Sequence, residues 1–292
     1  MDFGKLNDIS QVNFSLPTDI SMLRSSPAAI PEILIGATGW SMPEWKGYLY
    51  PPRTPAERFG MEYSRQFATI EFNTTYYQIP PEQRVIKWKE LTSPDFVFCP
   101  KMYQGISQSA ALGIGGDLLP DFINRMSMLE EKLGMIFMQL PQFFGSSKLQ
   151  SLQNFVQQWS SGIPLAIELR HPEYFQEPLA SEVAALFASK QISWLITDVS
   201  GRRDVSHPFI TAPFMCIRFV GTGDQASDLM RTEQWVQRIF HWQTYGVQVV
   251  YFFVHSPGNL DPMPVAVKFS EEWIKLTGKK LKVPQLIQQE LF

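Results

Sequence analysis

Eight short runs rich in β-branched and aromatic residues recur along this chain about 30 residues apart, a spacing that suits a repeated βα unit. They are Ile33–Thr38, Thr69–Asn73, Phe96–Lys101, Met135–Leu140, Leu165–Arg170, Ser193–Asp198, Met215–Gly221 and Val247–His255. Between and after them, amphipathic patterning predicts helices over Pro55–Phe67, Glu82–Glu90, Asp121–Leu133 (closed by Gly134), Leu149–Trp159, Leu179–Lys190, Glu233–Tyr245 (closed by Gly246) and Val265–Leu276 (closed by Gly278). Only the stretch after the sixth run, 200–213, lacks a helical pattern. Strands alternating with helices predict a parallel sheet covered on both faces. Eight such units favour closure into a single α/β barrel of the (β/α)8 type over an open sheet. A doubly wound open sheet would carry a glycine-rich phosphate loop after its first strand. Here that segment reads Gly36-Ala37-Thr38-Gly39-Trp40, with a bulky ring where a tight helix start is needed.

The 292 residues fit one such barrel, which typically runs to about 250. The barrel is expected over residues 31–292. Residues 1–30 are rich in Ser and Asn and broken by Pro17 and Pro27; they read as an extension that wraps or caps the barrel, or as a partly disordered segment.

Within the runs a two-residue period separates two faces. Ile70 and Phe72 oppose Glu71 and Asn73; Phe96 and Phe98 oppose Val97, Cys99 and Lys101; Ile167 and Leu169 oppose Ala166, Glu168 and Arg170; Ile217 and Phe219 oppose Cys216 and Arg218. One face is large and apolar, suited to packing under outer helices. The other starts small and turns polar towards the C-terminal end, as a barrel interior opening into a pocket would.

Parallel strands bring their C-terminal ends to one mouth, where barrel enzymes place their active sites. The ends offer Thr38, Glu71, Asn73, Lys101, Gln139, Glu168, Arg170, His171, Asp198, Arg218 and His255. Unpaired ions in such a cavity cost several kcal/mol each, so these groups must pair, shift their pKa values or await a ligand. Glu71, Lys101, Glu168 and Asp198 are the expected catalytic residues. Asn73, Tyr76, Gln139, Arg170, Arg218, His255 and Trp40 are the expected substrate contacts. Structural alternatives stand beside each role: Glu168 and Arg170 can form a closing ion pair, Lys101 can merely neutralise Glu71 or Asp198, and Asp198 can cap the following loop. A buried Lys101 can also act as a base or Schiff-base nucleophile, although nothing near it in sequence selects that role.

Other chemistries find little in the sequence. The net charge is −3, with no basic run of the kind that binds duplex nucleic acid. Cys99 and Cys216 lie in apolar runs and read as buried reduced thiols, in keeping with a cytoplasmic protein. No signal-peptide pattern opens the chain, and no apolar stretch reaches the roughly 20 residues of a membrane helix. There is no HExxH, CxxC pair, P-loop or GxSxG; no cofactor is expected, and no local spacing demands a metal, although Glu71, Glu168, Asp198 and His255 are of types that suit one.

Several motifs together resemble one family. Gly39-Trp40-Ser41, Trp45-Lys46-Gly47 and Tyr50-Pro51 are similar to the opening of the domain of unknown function 72, or YecE-like, family. So are Ile70-Glu71-Phe72-Asn73-Thr74-Thr75-Tyr76-Tyr77, Gly134 through Pro141, Glu168-Leu169-Arg170-His171, Thr197-Asp198 and Arg218 to Gly221. The resemblance spans roughly residues 33–255 and implies a (β/α) barrel without an established activity. The chain departs from the pattern at Ser107-Gln108, where the family carries Thr-His. It departs again at Val220, where the family has a histidine, and at Val254-His255, where it has Asn-Asn.

The expectation is an enzyme performing acid/base or hydrolytic chemistry on a small polar or anionic substrate. The competing expectation is a non-catalytic binding module for a sugar, a nucleotide or a nucleic-acid end.

Overall fold

All eight expected runs form parallel strands, and two short strands that the pattern does not mark join them. The computed structural model describes residues 4–23, 26–160, 162–256 and 262–285. In chain order the strands are β1 (Ile20–Ser21), β2 (Glu32–Ala37), β3 (Thr69–Phe72), β4 (Val97–Pro100), β5 (Ile136–Gln139), β6 (Leu165–Glu168), β7 (Ser193–Trp194), β8 (Ile196–Asp198), β9 (Phe209–Ile210), β10 (Phe214–Val220) and β11 (Val249–His255). Helices α1 (Phe59–Gln66), α2 (Thr74–Tyr77), α3 (Glu82–Leu91), α4 (Gln104–Ser107), α5 (Leu118–Ser127), α6 (Leu149–Gln158), α7 (Leu179–Ala188), α8 (Gln225–His241) and α9 (Met263–Thr277) alternate with them.

The strands form three parallel sheets, in the orders β4-β3-β2-β11-β10-β8, β5-β6-β7 and β1-β9. The single uninterrupted eight-stranded ladder expected from the sequence is therefore absent among the described residues, for two local reasons. The sixth run breaks at Leu195: β7 pairs with β6, β8 pairs with β10, and the Leu195 N–H donates to the Ile167 carbonyl at 2.9 Å. Between β4 and β5 only isolated bridges survive, Phe98 to Leu133 and Lys101 to Phe137. Pro100 lies between them and has no N–H to give the ladder. Elsewhere the strands approach closely. A Cβ on Gly36 of β2 would meet the Thr69 carbonyl oxygen of β3 at 2.3 Å, so only glycine fits that register.

Two buried apolar clusters follow the two strand faces. The larger combines outward residues such as Ile35, Ile70, Phe98, Met138, Ile167 and Ile217 with Tyr63, Phe122, Phe155, Val183, Trp235 and Phe269 from the helices. The smaller contains Leu34, Cys99, Phe137, Ala166, Leu195, Cys216, Tyr251 and Phe253, drawn from the strands and their flanks. Two residues beyond its members, on the same face, stand Lys101, Gln139, Glu168, Thr197, Arg218 and His255. An apolar floor thus supports a polar layer at the C-terminal strand ends.

Two expected helices differ most in their bounds. The one over Glu233–Tyr245 begins eight residues earlier, as α8, and gives way at Trp242–Tyr245 to a 3-10 turn before Gly246. The segment before β5 departs further. The pattern over Asp121–Leu133 ends as α5 at Ser127, a 3-10 turn follows at Glu130–Lys132, and Gly134 is no C-cap. Its N–H donates to the Phe98 carbonyl at 2.9 Å, at the entrance to β5. The turn aims Lys132 at the end of α3, where its Nζ donates to the carbonyls of Lys89 (2.7 Å) and Thr92 (2.8 Å). A lysine satisfying the last carbonyls of a neighbouring helix reverses the chain here without a capping glycine.

The stretch 200–213 holds the 3-10 turn Arg203–Val205 and β9 but no α-helix. The N-terminal segment packs against it. Leu6 N–H donates to Ser200 Oγ at 3.0 Å, β1 pairs with β9, and Phe14 is buried with its ring 4.8 Å from the Arg231 guanidinium. Asp19 accepts from Arg238 Nε at 2.7 Å and from Trp242 Nε1 at 2.9 Å on α8 and the turn after it. The side left bare by the missing sixth helix is covered by residues from the start of the chain.

Candidate functional site

Arg218, on the inward face of β10, organises the polar layer. Its Nε and Nη2 donate to the two carboxylate oxygens of Glu71 at 2.9 and 3.0 Å, and its Nη1 donates to Glu168 Oε2 at 2.6 Å. Glu168 Oε1 also accepts from Arg170 Nε at 2.8 Å and from Thr197 Oγ1 at 3.1 Å. Glu71 is completed by Asn73 Nδ2 at 3.0 Å and by His255 Nε2 at 2.8 Å. Glu71, Glu168 and Arg218 are at most 1 % exposed, so the lattice stands only because every charge is paired.

The electrostatics follow. Burial alone would raise the pKa of Glu71, but the charge of Arg218 and the hydrogen bond from His255 hold it well below the carboxylate range. Burial is likewise outweighed at Glu168, where Arg170 and Arg218 bring the carboxyl down to about 2. Both are ionised near neutrality. His255 shifts the other way: burial lowers its pKa further than neighbouring Glu71 restores it, so the imidazole is neutral near pH 7. A neutral ring that gives its Nε2 hydrogen to Glu71 keeps Nδ1 as an acceptor.

Lys101 occupies the next position round the layer and, among the described residues, makes no ion pair. Its Nζ donates to Gln139 Oε1 at 3.1 Å and lies 4.5 Å from the centroid of the Tyr76 ring. Burial, helped by the charge of Arg218, brings its amine down to about 8, with Glu71 and Glu168 opposing. Tyr76, on α2, hydrogen-bonds Gln108 through its hydroxyl. Tyr76 and Gln139 are themselves half-buried.

Nine of the expected site residues therefore meet: Glu71, Asn73, Tyr76, Lys101, Gln139, Glu168, Arg170, Arg218 and His255. Two do not. Asp198 lies on the outward face of β8, in register with Phe219. It is tied there by Arg203, by Arg231 Nη2 at 2.9 Å and by Trp235 Nε1 at 2.7 Å. The inward residue at this level is Thr197, which the alternation from Leu195 would have indicated. Trp40 packs on the outer aromatic layer, its ring centroid 5.0 Å from that of Phe72 and 5.9 Å from that of Phe98. His171 turns to its own loop and accepts the Glu173 N–H through Nδ1. Gln108 completes the site unannounced by any strand pattern; it stands in one of the motif positions where the chain departs from its resembled family.

Cys99 and Cys216 are buried free thiols in the apolar floor. Among the described residues no three His, Cys, Asp or Glu side chains come together to hold a metal, and no helix is long and apolar enough to cross a membrane.

Comparison with known proteins agrees with the motifs. A bacterial relative, the UPF0759 protein YecE of Escherichia coli K12, is 29 % identical over 280 residues, covering 88 % of this chain and 98 % of its own. The UPF0759 protein YunF of Bacillus subtilis is 26 % identical over 165 residues, 54 % of this chain and 57 % of its own. Among solved structures, a DUF72 family protein from Enterococcus faecalis V583 superposes with a TM-score of 0.65 at 20 % identity, covering 88 % of this chain and all of that one. Another, from Thermotoga maritima MSB8, gives 0.62 at 20 % identity over 85 % of this chain and all of its own. At that identity the likeness speaks for the fold alone. The model of the family described as "Protein of unknown function DUF72" matches residues 34–288, and the chain belongs to that family.

Proposed function

We propose that the strands close into a single (β/α)8 barrel over residues 31–292, and that the protein is an enzyme whose mouth binds a small anionic substrate and moves a proton on it. Support for closure comes from the strand order: the β4 and β5 edges are bridged, and the sixth run pairs with one neighbour through β7 and with the other through β8. Support for the chemistry comes above all from His255 and Glu71. A neutral imidazole fixed by an ionised carboxylate at 2.8 Å is the arrangement by which proteins hold a general base in one tautomer.

The roles expected from sequence shift accordingly. Glu71 and Glu168 are bound to Arg218 as ionised carboxylates and serve as positioning residues. His255 is the base. Among the described residues Arg170 and Arg218 pair with Glu71 and Glu168, whereas Lys101 makes no ion pair, and an anion would neutralise it. Asn73, Gln139 and Tyr76 orient the ligand.

The commitment of both carboxylates favours one other reading, a binding module that holds an anion without turnover. Nuclear magnetic resonance of the four histidines separates these. Oxalate or inorganic phosphate should shift the C2–H signal absent from His255→Asn and raise the pKa read from it, with no such shift in Lys101→Met. No response to either anion overturns the anion-binding mouth. Turnover of a carboxylate- or phosphate-bearing ester, lost in His255→Asn while oxalate still binds, supports the enzyme; binding without turnover leaves the module.

A further inference from the structure

We propose that Lys101 is an amine nucleophile that forms a covalent imine with a 2-oxo acid bound at the mouth. The proposal rests on the anion-binding reading above and names the substrate class of that site.

Its basis is a contrast among the lysines. Lys132, equally buried, spends its ammonium on Lys89 and Thr92 carbonyls and on Thr92 Oγ1. Lys89, Lys268, Lys275 and Lys282 sit on carboxylates. Lys101 is 7 % exposed and holds one neutral amide oxygen and the faces of two aromatic rings, Tyr76 and Phe137. The carboxylates that could stabilise its charge, Glu71 and Glu168, are taken by Arg218, Arg170 and His255. A lysine held in low dielectric near two guanidinium groups, with no carboxylate of its own among the described residues, keeps an accessible neutral form. Its pKa of about 8 agrees with that geometry.

The chemistry balances without any redox partner. The Nζ lone pair attacks the ketone carbon, a C–N bond forms, and the carbonyl π pair becomes a hydroxyl after proton transfer from the amine. Loss of that hydroxyl as water gives the imine, so amine plus ketone yields imine plus water. The 2-oxo acid's carboxylate docks against the Lys101 ammonium, which sheds its proton before the nitrogen attacks. The imine, once protonated, restores the charge that the amine carried.

The groups acting on Lys101 are Glu71 from β3, Tyr76 from α2, Gln139 from β5, Glu168 from β6, Arg170 just beyond it and Arg218 from β10. Their summed field sets the pH at which the amine reacts. The test is reductive trapping: the full-length protein is incubated with pyruvate or glyoxylate and sodium cyanoborohydride, digested, and every lysine read by mass spectrometry. The expected result is an adduct at Lys101 at least ten-fold faster than at any surface lysine, with the rate levelling near pH 8 and slowed by oxalate. Labelling spread over surface lysines, or an unlabelled Lys101, overturns the proposal. If oxalate still moves the His255 resonance in that case, imine formation fails alone; if it does not, the anion-binding mouth fails with it.

Discussion

Arg218 and Glu71, 147 positions apart in the chain, meet through two hydrogen bonds of 2.9 and 3.0 Å in which both carboxylate oxygens are engaged. The same guanidinium reaches Glu168, so one arginine bridges two carboxylates from two different sheets. Removing it leaves Glu71 without a guanidinium in the interior and Glu168 with Arg170 alone. Arg218→Met should destabilise the protein by about 3–5 kcal/mol, the cost of breaking a buried pair. Adding Glu71→Gln and Glu168→Gln to that variant should recover a substantial part, because neutral amides are far cheaper to bury. Urea denaturation of the series measures both; equal stability of Arg218→Met and wild type contradicts the account.

Acid should unfold the protein through the same lattice. Glu168 titrates at about 2 in the folded chain against an ordinary value of 4.5, and Glu71 is also held low. A carboxyl with a depressed folded pKa contributes stability that is complete above its unfolded value and lost as pH falls through the folded one. Stability should therefore decline from near pH 5 down to pH 2, with Glu168 alone accounting for about 3 kcal/mol. The check is denaturant unfolding at several pH values, in which Glu168→Gln should flatten the slope across that window.

The N-terminal segment should matter to stability as a helix would. Phe14 is 7 % exposed and lies against Arg203 and Arg231, the two arginines that hold Asp198. Phe14→Ala should cost about 3 kcal/mol through lost burial and an opened cavity. Asp19→Ala should cost less, about 1–3 kcal/mol, by leaving Arg238 Nε and Trp242 Nε1 without their acceptor while Arg238 Nη2 keeps the His207 carbonyl. Thermal melts of the two single variants and of their combination test the order; a melting temperature unchanged by Phe14→Ala would show that the segment bears no load.

The strands, the faces and eight of the nine residues that meet were legible because each is a local property: a two-residue period fixes which side chains share a face, whereas Tyr76, on α2, is marked only by its place just past Asn73-Thr74-Thr75. Asp198 was misplaced by that same rule left unapplied. It sits one residue beyond Thr197, and a single step moves a side chain to the opposite face. The breaks in the ladder were less legible, since Pro100 interrupts pairing only because of what stands beside it, and Leu195 looks like any other apolar strand residue. The N-terminal segment carries no periodic pattern at all. Its place is set by contacts such as Asp19 with Arg238, 219 positions away, which no window of sequence contains.

Lys101 offers a prediction of opposite sign to the acid effect. Its amine titrates at about 8 when folded and at 10.5 otherwise, because burial disfavours the ammonium. Between those values the unfolded chain binds more protons than the folded one, so stability rises with pH across that interval. Below it the buried charge is a standing cost. Lys101→Met, which keeps the length of the side chain and removes the charge, should stabilise the protein at pH 7 by roughly 1–3 kcal/mol. The gain should shrink as pH climbs through 8 towards 10.5 and vanish above it, where the wild-type lysine is neutral in both states. Melting temperatures of the variant and wild type at pH 7 and pH 10 decide it. A variant less stable than wild type at pH 7 would mean that the contacts with Gln139 and Tyr76 outweigh the cost of burying the charge.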